Sequence, residues 1–194
     1  MKVINFEQNA FNDFLAESLK ELNNDSIKLL ILGIKEGGSP LAINVYDFLK
    51  YNSKNQIELN FITCQRPSTY AKKNKKFLKY LIQNFFKILP LSVLDILRVM
   101  EFKILTNSNL DTARHIIVEN EIDYNKYDKI LIIDDAVDSG LTLKKVSDYI
   151  GTKKHESVAV ESLAVVVTNE NTMMMPDYFL YKNVLIRFPW SLDG

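Results

Sequence analysis

Cysteine is almost missing from this chain: Cys64 stands alone among 194 residues. That excludes an internal disulfide and any zinc site built on cysteine thiolates. Histidine is scarce as well. His115 and His155 are in no metal-ligand spacing, and both are expected at the surface. Neither sign of charge prevails, since 24 basic residues stand against 24 acidic ones, and this balance does not suggest a nucleic-acid coat. No apolar run approaches the roughly 18–20 residues of a membrane span. The opening Met1-Lys2-Val3-Ile4-Asn5-Phe6-Glu7 lacks the apolar core of a signal peptide. A cytoplasmic, reducing location with no membrane partner is therefore expected. A Gly-x-x-x-x-Gly-Lys-Ser/Thr motif is also missing, which makes a nucleoside triphosphatase a poor reading.

What is present is an ordinary core-forming composition, 47% apolar and 25% charged, in a chain the size of one domain, residues 1–194. Phe11, Phe14, Leu15, Leu19 and Leu22 recur at helical spacing within residues 7–22. Ile27–Leu32 is a nearly continuous apolar run, as in a strand buried on both faces. It runs into Gly33-Ile34-Lys35-Glu36-Gly37-Gly38-Ser39-Pro40, a glycine loop followed by a helix from near Ser39. Gln56–Ile62 alternates like a second strand. Arg66–Lys76 is polar and basic, and residues 77–89 and 92–104 read as two helices broken at Pro90. These form a helical insertion, about residues 71–105. Their apolar faces, Phe77, Leu81, Phe85 and Ile88 on one and Val93, Ile96, Leu97, Met100 and Ile104 on the other, are expected to pack on each other and on a second subunit, giving a homodimer. Residues 110–121 read as helical. Lys129–Ile133 is the cleanest buried strand, with a helix from about Thr142 to Ile150, strand-like residues Val158–Val167 and a short last strand Val184–Phe188. Strands alternating with helices predict an α/β fold: a doubly wound, mostly parallel sheet with helices on both faces.

The chemistry concentrates in Ile130–Thr142. Four apolar residues end in Asp134 and Asp135; Ser139 and Gly140 follow in a loop, then a helix. In open α/β sheets ligands sit at the carboxyl ends of strands. A loop of backbone N–H groups leading into a helix N-terminus suits a phosphate. Gly140 lets the backbone approach closely, and Ser139 and Thr142 add hydroxyls. Two carboxylates beside a phosphate make sense if the ligand also carries vicinal hydroxyls, which donate to acceptors, and a divalent cation. A sugar phosphate fits better than a bare triphosphate. The bland alternative is a generic acidic strand end, as in receiver domains.

This segment resembles the phosphoribosyl-diphosphate signature of type I phosphoribosyltransferases: apolar strand, two acids, two apolar positions, any residue, Thr or Ser, Gly, any residue, Thr. Ala136 is smaller than the family's usual branched residue at that place. The resemblance implies transfer of the 5-phosphoribosyl group from phosphoribosyl diphosphate (PRPP) to a purine-like base, with pyrophosphate released and magnesium as cofactor. Asp134 and Asp135 would hold the ribose hydroxyls and, through these or water, the metal. Asp138, Ser139, Gly140, Leu141 and Thr142 would wrap the 5-phosphate, and Asp138 matches the acid proposed as general base or purine N7 partner. Lys35, Glu36, Gly37 and Gly38 fall where the family binds pyrophosphate, and Arg66 where a basic residue reaches it. Lys72, Lys73, Lys75, Lys76 and Lys79 form a basic cluster that could draw in an anionic substrate or be a solvated face.

The tail, about residues 171–194, resembles the purine-binding hood of the hypoxanthine-guanine and xanthine-guanine branch. Met175 stands where that branch has a lysine for the purine 6-oxygen, Leu185 falls near its stacking aromatic, and Trp190 is a candidate base platform. The expectation is an altered acceptor pocket with weak activity on 6-oxopurines. The alternative is a PRPP-sensing regulator of the same fold that binds nucleic acid through the lysine cluster.

Overall fold

The computed structural model describes residues 1–22, 26–35, 37–65, 90, 93–100, 114–118 and 121–191. Its centre is a six-stranded sheet ordered β4-β3-β2-β5-β6-β7, comprising β2 (Lys28–Lys35), β3 (Gln56–Gln65), β4 (His115–Val118), β5 (Lys129–Val137), β6 (Ala159–Val167) and β7 (Tyr178–Lys182). All neighbours are parallel except β3 and β4. The α/β fold with a mostly parallel sheet is thus as the alternation of patterns predicts.

The continuous apolar runs follow from burial on both faces. Leu29 and Ile31 of β2 and Leu131 and Ile133 of β5 join one core, with Leu15 of α1 (Gln8–Ser18) and Leu41, Val45 and Leu49 of α2 (Gly38–Asn52). Leu30, Leu32, Ile130 and Ile132 point the other way, onto Leu143, Val146 and Ile150 of the helix Leu141–Gly151. Residues 93–100 are helical. In chain order these last two helices are α3 (93–100) and α4 (Leu141–Gly151). α3 buries Leu94, while Val93, Ile96, Leu97 and Met100 stay exposed. The first helix of the expected insertion lies outside the described residues.

One expectation is corrected. Residues 115–118, read as part of a helix, form β4, antiparallel to β3 with Cys64 opposite Ile116 and Thr63 opposite Ile117. Ile116, Ile117 and Val118 are β-branched, and β3 has an edge to pair because β2 occupies only its other side. Two strands have no clear mark in the sequence: β1 (Lys2–Asn5), which pairs in parallel with β8 (Val184–Arg187) as a separate two-stranded sheet, and β7.

Candidate active site

β2 and β5 are neighbours in the sheet, but β2 leads through α2 to β3 on one side and β5 leads through α4 to β6 on the other. Chain direction therefore diverges between their carboxyl ends, which opens a crevice there. Gly33 lets β2 pass under α2 at this point, since a Cβ there would lie 2.7 Å from that of Ala42. Beyond Lys35 the loop turns directly onto β5. A Cβ on Gly37 would strike the Asp135 carboxylate, and one on Gly38 would sit 2.5 Å from the Ile133 carbonyl oxygen. A loop and a strand remote in sequence are thus in contact, and only residues without a side chain permit it. Lys35 holds its ammonium 5.9 Å from the centre of the Phe61 ring. Glu36 and Arg66 lie outside the described residues, as does the lysine cluster 72–79.

Asp134 is 9% exposed, and its Oδ1 accepts the Asp135 backbone N–H at 3.0 Å. Asp135 Oδ1 accepts the N–H of Ala136 at 2.9 Å. Burial, and then the adjacent Asp135 carboxylate, push Asp134 well above the usual carboxylate range. Burial pushes Asp135 up as well. Such a pair is poised for a ligand that brings hydroxyl donors and positive charge.

Past β5 the chain turns at Gly140, whose φ of 71° is left-handed. A Cβ there would strike the Thr172 hydroxyl and lie 2.6 Å from the Met174 backbone. The Ser139 carbonyl accepts the Met173 N–H at 2.8 Å, which ties the loop to residues 172–174. Asp138, Ser139, Gly140 and Thr142 line a small cavity of about 40 Å³ at the N-terminus of α4, where backbone N–H groups and the helix dipole favour an anion. Arg114 lines it too.

A second, larger cavity of about 240 Å³ adjoins the first and shares Ala136 and Asp138 with it. Its apolar wall is Val166, Leu185, Ile186 and Phe188; its polar residues are Arg98, Asp135, Asp138, Thr168 and Ser191. Asp138 is held in place by the Thr168 hydroxyl, which donates to its Oδ1 at 2.5 Å. Leu185 is therefore at this cavity, whereas Met175 and Trp190 are not among its lining residues. Met175 is 39% exposed. Trp190 stacks on Phe188, ring centres 5.1 Å apart, with its ring centre 5.5 Å from that of Phe6.

The sequence matches the family described as Phosphoribosyl transferase domain over residues 6–193, nearly its whole length. The chain belongs to the phosphoribosyltransferase family. It is accordingly a PRPP-dependent glycosyltransferase. Among solved structures it is similar to a purine phosphoribosyltransferase from Pyrococcus horikoshii, with a TM-score of 0.61 and 17% identity over 98% of this chain and 95% of that one. A hypoxanthine phosphoribosyltransferase from Staphylococcus aureus is similar with a TM-score of 0.56 and 14% identity, over 91% of this chain and 74% of that one. At such identities the likeness concerns the fold. No curated protein matches the sequence.

Several residues that line the two cavities have no mark in the sequence. Thr168 stands in the sequence only as the residue after an apolar strand, and Phe188 as the end of the short last strand. Arg98, Arg114 and Ser191 reach the cavities from elements whose placement depends on tertiary packing, so no local pattern pointed to them.

Proposed function

We propose that this phosphoribosyltransferase moves the 5-phosphoribosyl group of PRPP onto a ring nitrogen of a purine-like base and releases pyrophosphate. The observation that supports this is the contact of Gly37 and Gly38 with Asp135 and Ile133, which brings the glycine loop after β2 against the acid pair, while Asp134 also lines the cavity at Asp138–Thr142. The half-apolar cavity beside it has room for a planar base. Asp138 borders both cavities, which is the position needed by a carboxylate that takes the ring N–H proton as the nitrogen bonds to C1 and the C1–O bond to pyrophosphate breaks. Phe188 offers the aromatic surface that Leu185 lacks, and Arg98 brings N–H donors to a polar edge where Met175 could bring none. The acceptor thus has an apolar face and a carbonyl or similar acceptor on its rim.

Among the described residues no group of three or more His, Cys, Asp or Glu could hold a metal alone. Asp134 and Asp135 fit magnesium that is carried chiefly by PRPP oxygens and water. When bound, the ion would neutralise charge on the diphosphate.

The test is pyrophosphate release from PRPP and magnesium across a panel of bases. Release with at least one base is expected. Asp135→Asn should weaken PRPP binding by about tenfold or more, the worth of a hydrogen bond to a charged group, with the fold intact by circular dichroism. Unchanged affinity in calorimetry would remove the acid pair from the site. Binding of PRPP and of RNA, with no release from any base, would favour the regulator.

A further inference from the structure

The 5-phosphate cradle carries an electrostatic difficulty. A phosphate monoester is close to dianionic near neutral pH, yet Asp134 and Asp138 line the same cavity. Backbone N–H groups and one helix N-terminus offer only partial positive charge. Among the described residues lining this cavity one is a cation, Arg114. It lies just before β4, the strand at the sheet's edge, and is partly buried. Its Nη1 donates to Thr142 Oγ1 at 2.5 Å, linking the start of β4 to the first turn of α4 across 28 residues of sequence.

That bond has a consequence for Thr142. A hydroxyl has one proton and two acceptor lone pairs. With Arg114 donating to its oxygen, the Thr142 hydroxyl keeps its proton to donate elsewhere, and the cavity it lines is open to a phosphate oxygen. The guanidinium itself is planar, permanently charged and suited to phosphate.

Resting on the phosphoribosyl reading of the site, we propose that Arg114 is a ligand of the donor's 5-phosphate and orients the Thr142 hydroxyl toward the same group. It offsets the charge of Asp134 and Asp138 there and favours 5-phosphorylated sugars over unphosphorylated ones. Pyrophosphate, bound at the Lys35–Gly38 loop across the crevice, does not depend on it.

The experiment is calorimetry of the full chain with two probes, ribose 5-phosphate and magnesium pyrophosphate. Arg114→Met should lower ribose 5-phosphate affinity about 10- to 100-fold and leave pyrophosphate affinity within about twofold, as expected for losing charge-assisted hydrogen bonds to one group. Arg114→Lys, which keeps the charge but not the fork, should fall between, and it serves as the second variant if Arg114→Met does not fold. Thr142→Val should show the same split between probes with a smaller loss. A buttress with no ligand contact would change both affinities equally or neither, and either result overturns the proposal. If the unsubstituted protein binds neither ribose 5-phosphate nor PRPP, the phosphoribosyl reading itself falls, and this inference falls with it. Normal binding by the unsubstituted chain with no split in the variants sinks the Arg114 role alone.

Discussion

Asp134 and Asp135 work against the fold that holds them. Burial pushes Asp134 well above the ordinary carboxylate range and shifts Asp135 upward as well. An acid whose pKa is higher in the folded state than in the unfolded one supports folding while protonated. That support is complete below the unfolded value, about 3.9 for Asp, and is lost as pH climbs through the raised one. Asp134→Asn removes the ionisation and should therefore stabilise the ligand-free protein at about pH 8, where the acid is ionised in the unfolded chain and burial opposes that charge in the folded one. A gain of ~1 kcal/mol corresponds to about 2–4 °C in Tm for a chain of this length. The gain should shrink toward about pH 4, and thermal melts at the two pH values read it directly. An equal or lower Tm for the variant at both would show that the pair is not strained when empty. The acid pair, Ser139, Gly140 and Thr142 were legible in sequence because they fall in one short segment and their chemistry is local. Arg114 was not, because its meaning depends on which strand pairs with the edge of β3.

The elements split along the same line. Strands β2 and β5 with their helices α2 and α4 were readable because burial on both faces leaves continuous apolar runs, and glycine loops mark where they end. Strands β1, β4 and β7 were not, since they are short, partly exposed and lie at edges or outside the main sheet. The larger cavity takes part of its lining from α3 and β8, and β1 is tied to both through one side chain. Arg187 of β8 donates from Nη1 to Asn5 of β1 at 3.0 Å and from Nη2 to Asp95 of α3 at 2.5 Å, so one guanidinium joins three elements. Its side chain is 10% exposed, which shields this pairing from solvent more than a surface ion pair. The same helix brings Arg98 to the cavity. Arg187→Met should release α3 from β8, raising the KM for the base about tenfold or more, as for loss of a charged hydrogen bond, while PRPP affinity changes little. Equal losses for base and PRPP would mean that Arg187 supports the whole fold and not this wall.

Across the molecule, the two cavities share a boundary, and this predicts an order of events. Ala136 and Asp138 line both, and Asp135 lines the larger one. Without a donor, a base entering the larger cavity meets Asp135 and Asp138 across an open floor. A bound phosphoribosyl group would close that floor with its ribose and occupy Asp135 with hydroxyls. Base binding should therefore be weak alone and tighter by about tenfold, some 1.4 kcal/mol, when the donor site is filled with ribose 5-phosphate and magnesium pyrophosphate, which cannot react further. Linkage requires the base to tighten the joint binding of the two donor fragments by the same factor. The fold supplies its own reporter: Trp190 is the chain's single tryptophan and stacks on Phe188, which lines the base cavity. Titrating the base that supports fastest pyrophosphate release, while following Trp190 emission with and without the donor fragments, measures the coupling. Equal affinities in the two titrations would mean that the cavities are independent, and that the wall they share in the structure transmits nothing between them.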